Sequence, residues 1–174
     1  MRLAVIVGST RQGRFGPTVA RWFAEHAERR SGLTVDVVDL AHDNDLDTRF
    51  TEADMFVVVT PEYNHSFPGP LKEVIDRFMV PWAAKPVGFV SYGGLSGGLR
   101  AVEQLRPVFA ELHAVTVRET VSFHQAWDRF GPDGAPIDPL GCGEAAERLL
   151  DQLTWWGRAL SAARATTPYG APVA

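Results

Sequence analysis

Short, unbroken runs of apolar residues, each ended abruptly by glycine or proline, constrain this chain most. Residues 3–7 precede Gly8, and residues 55–59 precede Thr60 and Pro61. Strands of parallel sheets are buried on both faces and show such continuous runs, whereas a half-exposed strand alternates apolar and polar residues. The sequence therefore predicts a parallel sheet with both faces covered.

Segments with helical periodicity alternate with these runs. The further predicted strands span residues 35–40, 87–90 and 114–117, and the predicted helices begin near Pro17, Pro70, Leu99 and Glu144. Alternation of strands and helices predicts an α/β fold, a doubly wound five-stranded parallel sheet with helices on both faces. Asp43, Asp45 and Asp47 are expected in a solvated loop. Residues 122–143 are rich in turn residues and are expected to form an irregular connection.

Length and composition bound the class of protein. The 174 residues predict one domain over 1–165 and a flexible tail over 166–174. A net charge of −4 argues against a nucleic-acid partner, and no segment approaches the length of a membrane span. The single Cys142 is compatible with a reducing compartment, so we expect a cytoplasmic protein. The five histidines lack metal-binding spacing, which predicts no metal site.

Three loops, residues 8–16, 60–69 and 91–98, carry the residues best suited to a ligand. Each follows a predicted strand. Ligands of open parallel sheets bind beyond the carboxyl ends of the strands, where the strand order reverses. The three loops meet in one crevice if the strand order is 2-1-3-4-5, which is therefore the predicted order.

The first loop has the chemistry of a phosphate site. It precedes a helix N-terminus and contains the hydroxyls of Ser9 and Thr10 and the cations Arg11 and Arg14. Backbone N–H groups at a helix start, hydroxyls and guanidinium groups all bind phosphate. The dinucleotide and Walker A glycine patterns are both absent. A flexible surface turn is the alternative interpretation.

The other two loops suit a planar ring. Tyr63 and Asn64 lie between prolines, so a stiff backbone can follow the edge of a heterocycle; a rigid proline turn is the alternative. The four glycines between residues 91 and 98 permit close approach to a ligand, or serve only the turn.

These motifs together resemble the NADPH-dependent FMN reductase family, the flavodoxin-like group that includes quinone, chromate and azo-dye reductases. The matching pieces are V-G-S-T-R at 7–11, T-P-E-Y-N at 60–64, P-G-P-L-K at 68–72 and S-x-G-x-x-x-G-G at 91–98. The resemblance covers about residues 1–120. Arg14 and Gly16 depart from the family pattern, which commonly has a small polar residue and Asn there.

The resemblance implies a non-covalently bound FMN, with Ser9 and Arg11 on the phosphate. Residues 61–64 line the ring, and Ser91 and Gly93 close its far side. The full predicted cofactor site is Ser9, Thr10, Arg11, Arg14, Phe15, Gly16, Pro61, Glu62, Tyr63, Asn64, His65, Ser91, Tyr92, Gly93 and Gly94. Arg11, Arg14 or His65 is also expected to touch the phosphates of the nicotinamide nucleotide.

The same resemblance implies an activity and its partners. NADPH or NADH delivers hydride to the flavin, and a small-molecule acceptor such as free flavin or a quinone then replaces it in a ping-pong cycle. The flavin carries the chemistry, so no catalytic side chain is required. A homodimer or homotetramer is expected, with the helix from Pro70 in the contact. A flavin-dependent monooxygenase is among the partners implied.

Two other functions fit parts of the sequence. A flavodoxin-like electron carrier would hold FMN but be reduced by a partner protein. Gly94-Leu-Ser-Gly-Gly98 also matches the G-x-S-x-G motif of serine hydrolases, with Ser96, Glu103 or Glu119, and His124 in triad order. His124 and Trp127 lie in the irregular connection, where they either pack locally or reach the crevice.

Overall fold

The computed structural model describes residues 1–170, which form one five-stranded sheet and five α-helices. The strands are β1 (Arg2–Val7), β2 (Thr34–Asp39), β3 (Met55–Pro61), β4 (Pro86–Gly93) and β5 (Val115–His124). The helices are α1 (Gly16–Glu28), α2 (Leu46–Glu52), α3 (Gly69–Arg77), α4 (Leu99–Glu111) and α5 (Pro139–Thr166). Short 3-10 turns span Val80–Trp82 and Ala126–Asp128.

All neighbouring strands are parallel, in the order β2-β1-β3-β4-β5, which confirms the predicted topology. Alternate residues of each central strand enter two separate cores. In β1, Leu3 and Val5 pack towards α1 and α5, whereas Ala4 and Ile6 pack towards α2, α3 and α4. Both faces are covered, which explains why the strands are unbroken apolar runs. None of the helices within residues 1–170 is long and apolar enough to cross a membrane.

The strand register aligns the carboxyl ends of β1, β3 and β4. Val7 pairs with Val59, Thr60 pairs with Ser91, and Pro61 pairs with Tyr92. The loops that follow these strands therefore leave the sheet at one edge, as the predicted strand order requires.

The structure differs from the sequence prediction at one additional helix and at the ends of several other elements. Residues 46–52 form helix α2, not loop, because Leu46 and Phe50 are one helical turn apart and both buried. Strand β5 continues to His124 through alternating buried side chains. Helix α5 begins at Pro139, five residues before the predicted start. Proline is well accepted in a first helical turn, and Asp138 Oδ1 accepts a hydrogen bond from Gly141 N at 3.0 Å.

The structure also differs from the prediction at the start of the tail predicted over residues 166–174. Helix α5 includes Thr166, and the Tyr169 hydroxyl lies 2.9 Å from Nδ1 of His113. Residues 171–174, the end of that predicted tail, lie outside the described part of the chain.

Candidate active site

The first loop is tied to the second through the side chain of Ser9. Ser9 is fully buried, and its Oγ lies 2.7 Å from the Tyr63 hydroxyl. The Arg11 amide also donates to Ser9 Oγ, at 3.4 Å. The hydroxyl predicted to meet a phosphate thus also sets the distance between the two loops.

The two loop arginines have different surroundings. Arg11 is exposed, and its guanidinium carbon lies 5.8 Å from the centre of the Tyr63 ring. The Arg14 side chain is only 12% exposed and forms an ion pair with Asp39, the last residue of β2. Arg14 Nε is buried and has no hydrogen-bond partner within residues 1–170. Arg14 is therefore anchored to Asp39 through Nη2, and its buried Nε is a donor without a partner among these residues.

Residues 63–66 form a tight hairpin turn. Tyr63 and Ser66 exchange backbone hydrogen bonds of 2.9 and 3.0 Å, and the φ angles of Asn64 and His65 are 50° and 68°. Positive φ at both central residues defines a type I′ turn. The left-handed conformation is unfavourable for His65 and requires support from its surroundings. Gln104 of α4 provides it, because its Nε2 donates to the His65 carbonyl at 2.7 Å.

Glu62 joins this second loop to the start of α4. Its carboxylate accepts a hydrogen bond from Ser96 Oγ, and it accepts from the backbone N and Nη1 of Arg100 at 3.3 and 3.1 Å. Burial raises the pKa of Glu62, but the hydrogen bonds from Ser96 and Arg100 outweigh it, so the pKa lies below its ordinary value. Arg100 Nη1 also donates to Nε2 of His65 at 3.2 Å.

The third loop is a compact glycine turn. Gly97 and Gly98 have φ angles of 63° and 87°, and a Cβ on Gly98 would lie 2.7 Å from Ser91 Cβ. Ser91 Oγ and Ser122 Oγ both donate to the Gly97 carbonyl, at 2.8 and 2.9 Å. The glycines therefore allow the loop to pack directly against β4 and β5.

The three loops enclose a cleft of about 630 Å³, a volume typical of small-molecule sites. Nine residues of the predicted cofactor site line it: Arg11, Arg14, Phe15, Pro61, Glu62, Tyr63, Tyr92, Gly93 and Gly94. Six predicted residues do not line this cleft. Gly16 and Ser91 belong to the adjoining α1 and β4, and the others lie in the first two loops: Ser9, Thr10, Asn64 and His65.

Three lining residues were not in the predicted set. Gln12 and Gly13 belong to the first loop. The prediction for that loop rested on its hydroxyls and arginines, so it did not include these two residues. Trp127 lies in the 3-10 turn after β5 and is 59% exposed at the cleft. Of the two interpretations of Trp127, the structure favours the one that places it at the crevice.

Tyr92 supplies a buried polar atom beside this cleft. Its ring is almost fully buried, and its hydroxyl has no hydrogen-bond partner within residues 1–170. Burial raises the pKa of Tyr92 above its ordinary value, so the hydroxyl stays protonated well into the alkaline range. A Cβ on Gly16 would lie 2.9 Å from this hydroxyl, so glycine at position 16 leaves room for the tyrosine.

The serine-hydrolase arrangement does not form. Ser96 Oγ donates to Glu62, and His124 Nδ1 lies 3.0 Å from the Leu95 carbonyl oxygen, so Ser96 has no histidine base. Glu119 interacts with Arg118 instead. The residues follow the order of a triad in the sequence, but their side chains contact other partners in the structure.

Comparison with known proteins decides the family. The sequence profile described as NADPH-dependent FMN reductase matches residues 1–128. The chain belongs to the NADPH-dependent FMN reductase family. It is 33% identical over 177 residues to a probable NADPH:quinone oxidoreductase 2 of Oryza sativa, with 88% of this chain and 85% of that protein covered.

A second relative agrees with this assignment, and a solved structure agrees with the fold. An NAD(P)H-dependent FMN reductase of Schizosaccharomyces pombe is 32% identical over 120 residues, covering 56% of this chain and 60% of the relative. The structure of FerB, a flavoenzyme NAD(P)H:(acceptor) oxidoreductase of Paracoccus denitrificans, superposes with a TM-score of 0.70 at 22% identity. That superposition covers 90% of this chain and 97% of FerB and supports the flavodoxin-like fold.

As a member of the FMN reductase family, the protein is an oxidoreductase that uses FMN and NAD(P)H. The residues that line the cleft also fit a flavin, independently of the family assignment. Arg14 Nε and Tyr92 Oη are buried polar atoms without partners among residues 1–170, and both residues line the cleft. Buried polar groups are normally hydrogen-bonded, so these atoms are suited to a polar cofactor.

Proposed function

We propose that the protein is a ping-pong reductase whose bound FMN takes hydride from NAD(P)H and passes it to a small acceptor such as free flavin or a quinone. The observation that carries this proposal is one cleft bounded by the three family motifs, whose lining residues include buried polar atoms without partners among residues 1–170. The relatives named as quinone oxidoreductases and FMN reductases support these two acceptor classes.

The first loop would hold the phosphate end of the cofactor. Arg11 offers an exposed guanidinium, and Arg14, whose Nη2 is paired with Asp39, offers an Nε that has no partner in the described part of the chain. Charge-assisted hydrogen bonds from arginine suit a phosphate. The loop also lies at the N-terminus of α1, where backbone N–H groups favour an anion.

The second and third loops would hold the ring. The rigid turn at residues 63–66 presents backbone groups at one side, and Gly93 and Gly94 allow a planar ring to approach the backbone at the other. The side chains position the flavin and exclude water, and the flavin supplies the hydride chemistry when it is bound.

Trp127 would contact the acceptor. A large, exposed aromatic side chain at the mouth of the cleft offers a stacking surface for a planar quinone. Trp127→Ala is expected to raise KM for a naphthoquinone more than for ferricyanide, which has no aromatic ring. Equal changes in KM for both acceptors would show that Trp127 takes no part in recognising the acceptor.

The proposed function is tested on the purified protein with FMN added. Flavin absorbance that bleaches within the enzyme's turnover time on anaerobic addition of NADPH or NADH is expected, followed by reoxidation by a quinone or free FMN. Parallel double-reciprocal plots for donor and acceptor identify the ping-pong cycle. A flavin that binds but is not bleached by either nucleotide would instead support an electron carrier.

The oligomeric proposal concerns the end of α3. Met79 and Val80 follow this helix and are 39% and 63% exposed, so the segment offers an apolar contact surface. We propose that it contributes to a homodimer or homotetramer, which light scattering coupled to size-exclusion chromatography tests.

A further inference from the structure

Glu62 is the only acidic residue among the described residues that line the cleft. Its side chain is 10% exposed, and its carboxylate is paired with Arg100, which is 42% exposed. A carboxylate that is largely shielded from solvent acts strongly on the charge of a neighbouring ligand, because little solvent screens it. Arg100 is therefore placed to cancel the negative potential of Glu62 inside the cleft.

The geometry of the Glu62–Arg100 pair allows the Arg100 charge to be removed while most contacts of the Glu62 carboxylate remain. Glu62 Oε2 accepts from Ser96 Oγ and from the Arg100 backbone N, and only Oε1 accepts from the Arg100 guanidinium. An Arg100→Gln variant keeps both contacts to Oε2. The carboxylate then stays in position while its counter-charge is gone.

We propose that Arg100 is a positioning residue that sets the reduction potential of the bound flavin by neutralising Glu62. The inference rests on the proposed function, since it requires FMN in this cleft. Two-electron reduction of FMN with uptake of one proton leaves the ring with an added negative charge. An unpaired Glu62 carboxylate would disfavour that charge, and an unpaired Arg100 guanidinium would favour it.

The test is potentiometric titration of the FMN-loaded protein and four variants. Arg100→Gln is expected to lower the midpoint potential and Glu62→Gln to raise it, and the double variant is expected to return close to the wild type. Arg100→Lys keeps the charge and is expected to restore most of the wild-type potential. Each single charge change should alter the ratio of the dissociation constants for oxidised and reduced FMN by on the order of tenfold.

Arg106→Gln is the matched control. Arg106 lies on the same helix, and its guanidinium donates to the Val117 and Arg118 carbonyls instead of entering the cleft. Its removal is expected to leave the potential unchanged. Glu62→Gln weakens the contacts of the glycine loop. If the Glu62→Gln variant does not fold, the comparison of Arg100→Gln with Arg100→Lys still tests whether the Arg100 charge sets the potential.

The outcomes distinguish a failure of the Arg100 proposal from a failure of the proposed function. Equal weakening of oxidised and reduced FMN binding in Arg100→Gln, with no change of potential, would show that Arg100 is merely structural and overturn the inference. Shifts of the same sign in both single variants would also overturn it. A wild-type protein that takes up no FMN would overturn the proposed function itself, and the inference with it.

Discussion

The hydroxyl oxygens of Ser9 and Tyr63 lie 2.7 Å apart and join two loops that are 54 residues apart in the sequence. Ser9 is fully buried, so its hydroxyl needs a partner within the protein. The contact fixes the position of the first loop relative to the second. The site is therefore partly organised by the protein's own hydrogen bonds.

Tyr63→Phe should lower the free energy of unfolding by about 1–2 kcal/mol, because it takes a strong partner from a buried hydroxyl. Chemical denaturation measures the change. Tyr169→Phe is the control, since Tyr169 is half exposed and bonds to His113 away from the cleft. Equal losses of unfolding free energy in the two variants would show that the contact with Ser9 contributes no more than an exposed hydrogen bond.

Arg11→Gln should weaken the binding of FMN about tenfold, the size of one charge-assisted hydrogen bond, and leave riboflavin binding nearly unchanged. Riboflavin lacks the phosphate, so the comparison isolates the phosphate contact. Fluorescence quenching of each flavin gives both dissociation constants. Arg29→Gln, which removes an exposed arginine at the end of α1, provides the matched loss of charge. A parallel loss of riboflavin affinity would exclude Arg11 as a phosphate ligand.

Gly98→Ala should destabilise the protein by about 3 kcal/mol, because alanine meets both an unfavourable φ of 87° and a contact of 2.7 Å with Ser91 Cβ. Gly13→Ala is the matched control. Gly13 has a φ of 68° but open space around its Cβ position, so only the conformational cost of about 1 kcal/mol applies. Thermal unfolding of the two variants should rank them in this order, and the reverse order would contradict the role of close packing in the glycine loop.

Lys85 should make stability depend on pH in the alkaline range. Burial, followed by the charge of Arg164, lowers the pKa of Lys85 to about 8 from its ordinary value of 10.5. Its Nζ donates to the Phe50 and Thr51 carbonyls at 3.0 Å, which both charged and neutral amines can do. Between pH 8 and 10 the unfolded chain holds more protons than the folded protein, so the free energy of unfolding rises with pH.

The corresponding experiment compares wild type with Lys85→Met, which keeps an apolar side chain but cannot be protonated. The stability of the wild type relative to the variant should increase by about 2 kcal/mol from pH 8 to pH 10. Groups common to both proteins, including Tyr92, cancel in the difference. Urea denaturation at each pH gives the values, and parallel pH profiles would contradict the assignment to Lys85.

Local patterns in the sequence were enough to predict the fold and the three loops of the site. An unbroken apolar run is a direct consequence of burial on both faces, and the strand order follows once the loops after β1, β3 and β4 are assigned to one crevice. The same reasoning missed α2, because a helix of seven residues with two buried side chains, Leu46 and Phe50, has too little periodicity to stand out from a charged loop.

The partners of the polar side chains were decided only by the tertiary structure. Arg14 pairs with Asp39, and Ser96 pairs with Glu62. These contacts span 25 and 34 residues, so no local spacing predicts them. The sequence by itself determined which segments form strands and which loops follow them at the edge of the sheet, because burial and backbone conformation are encoded locally. Chain packing determined which buried polar atoms have no partner among residues 1–170, because a polar atom becomes available to a ligand only when no distant residue has already satisfied it.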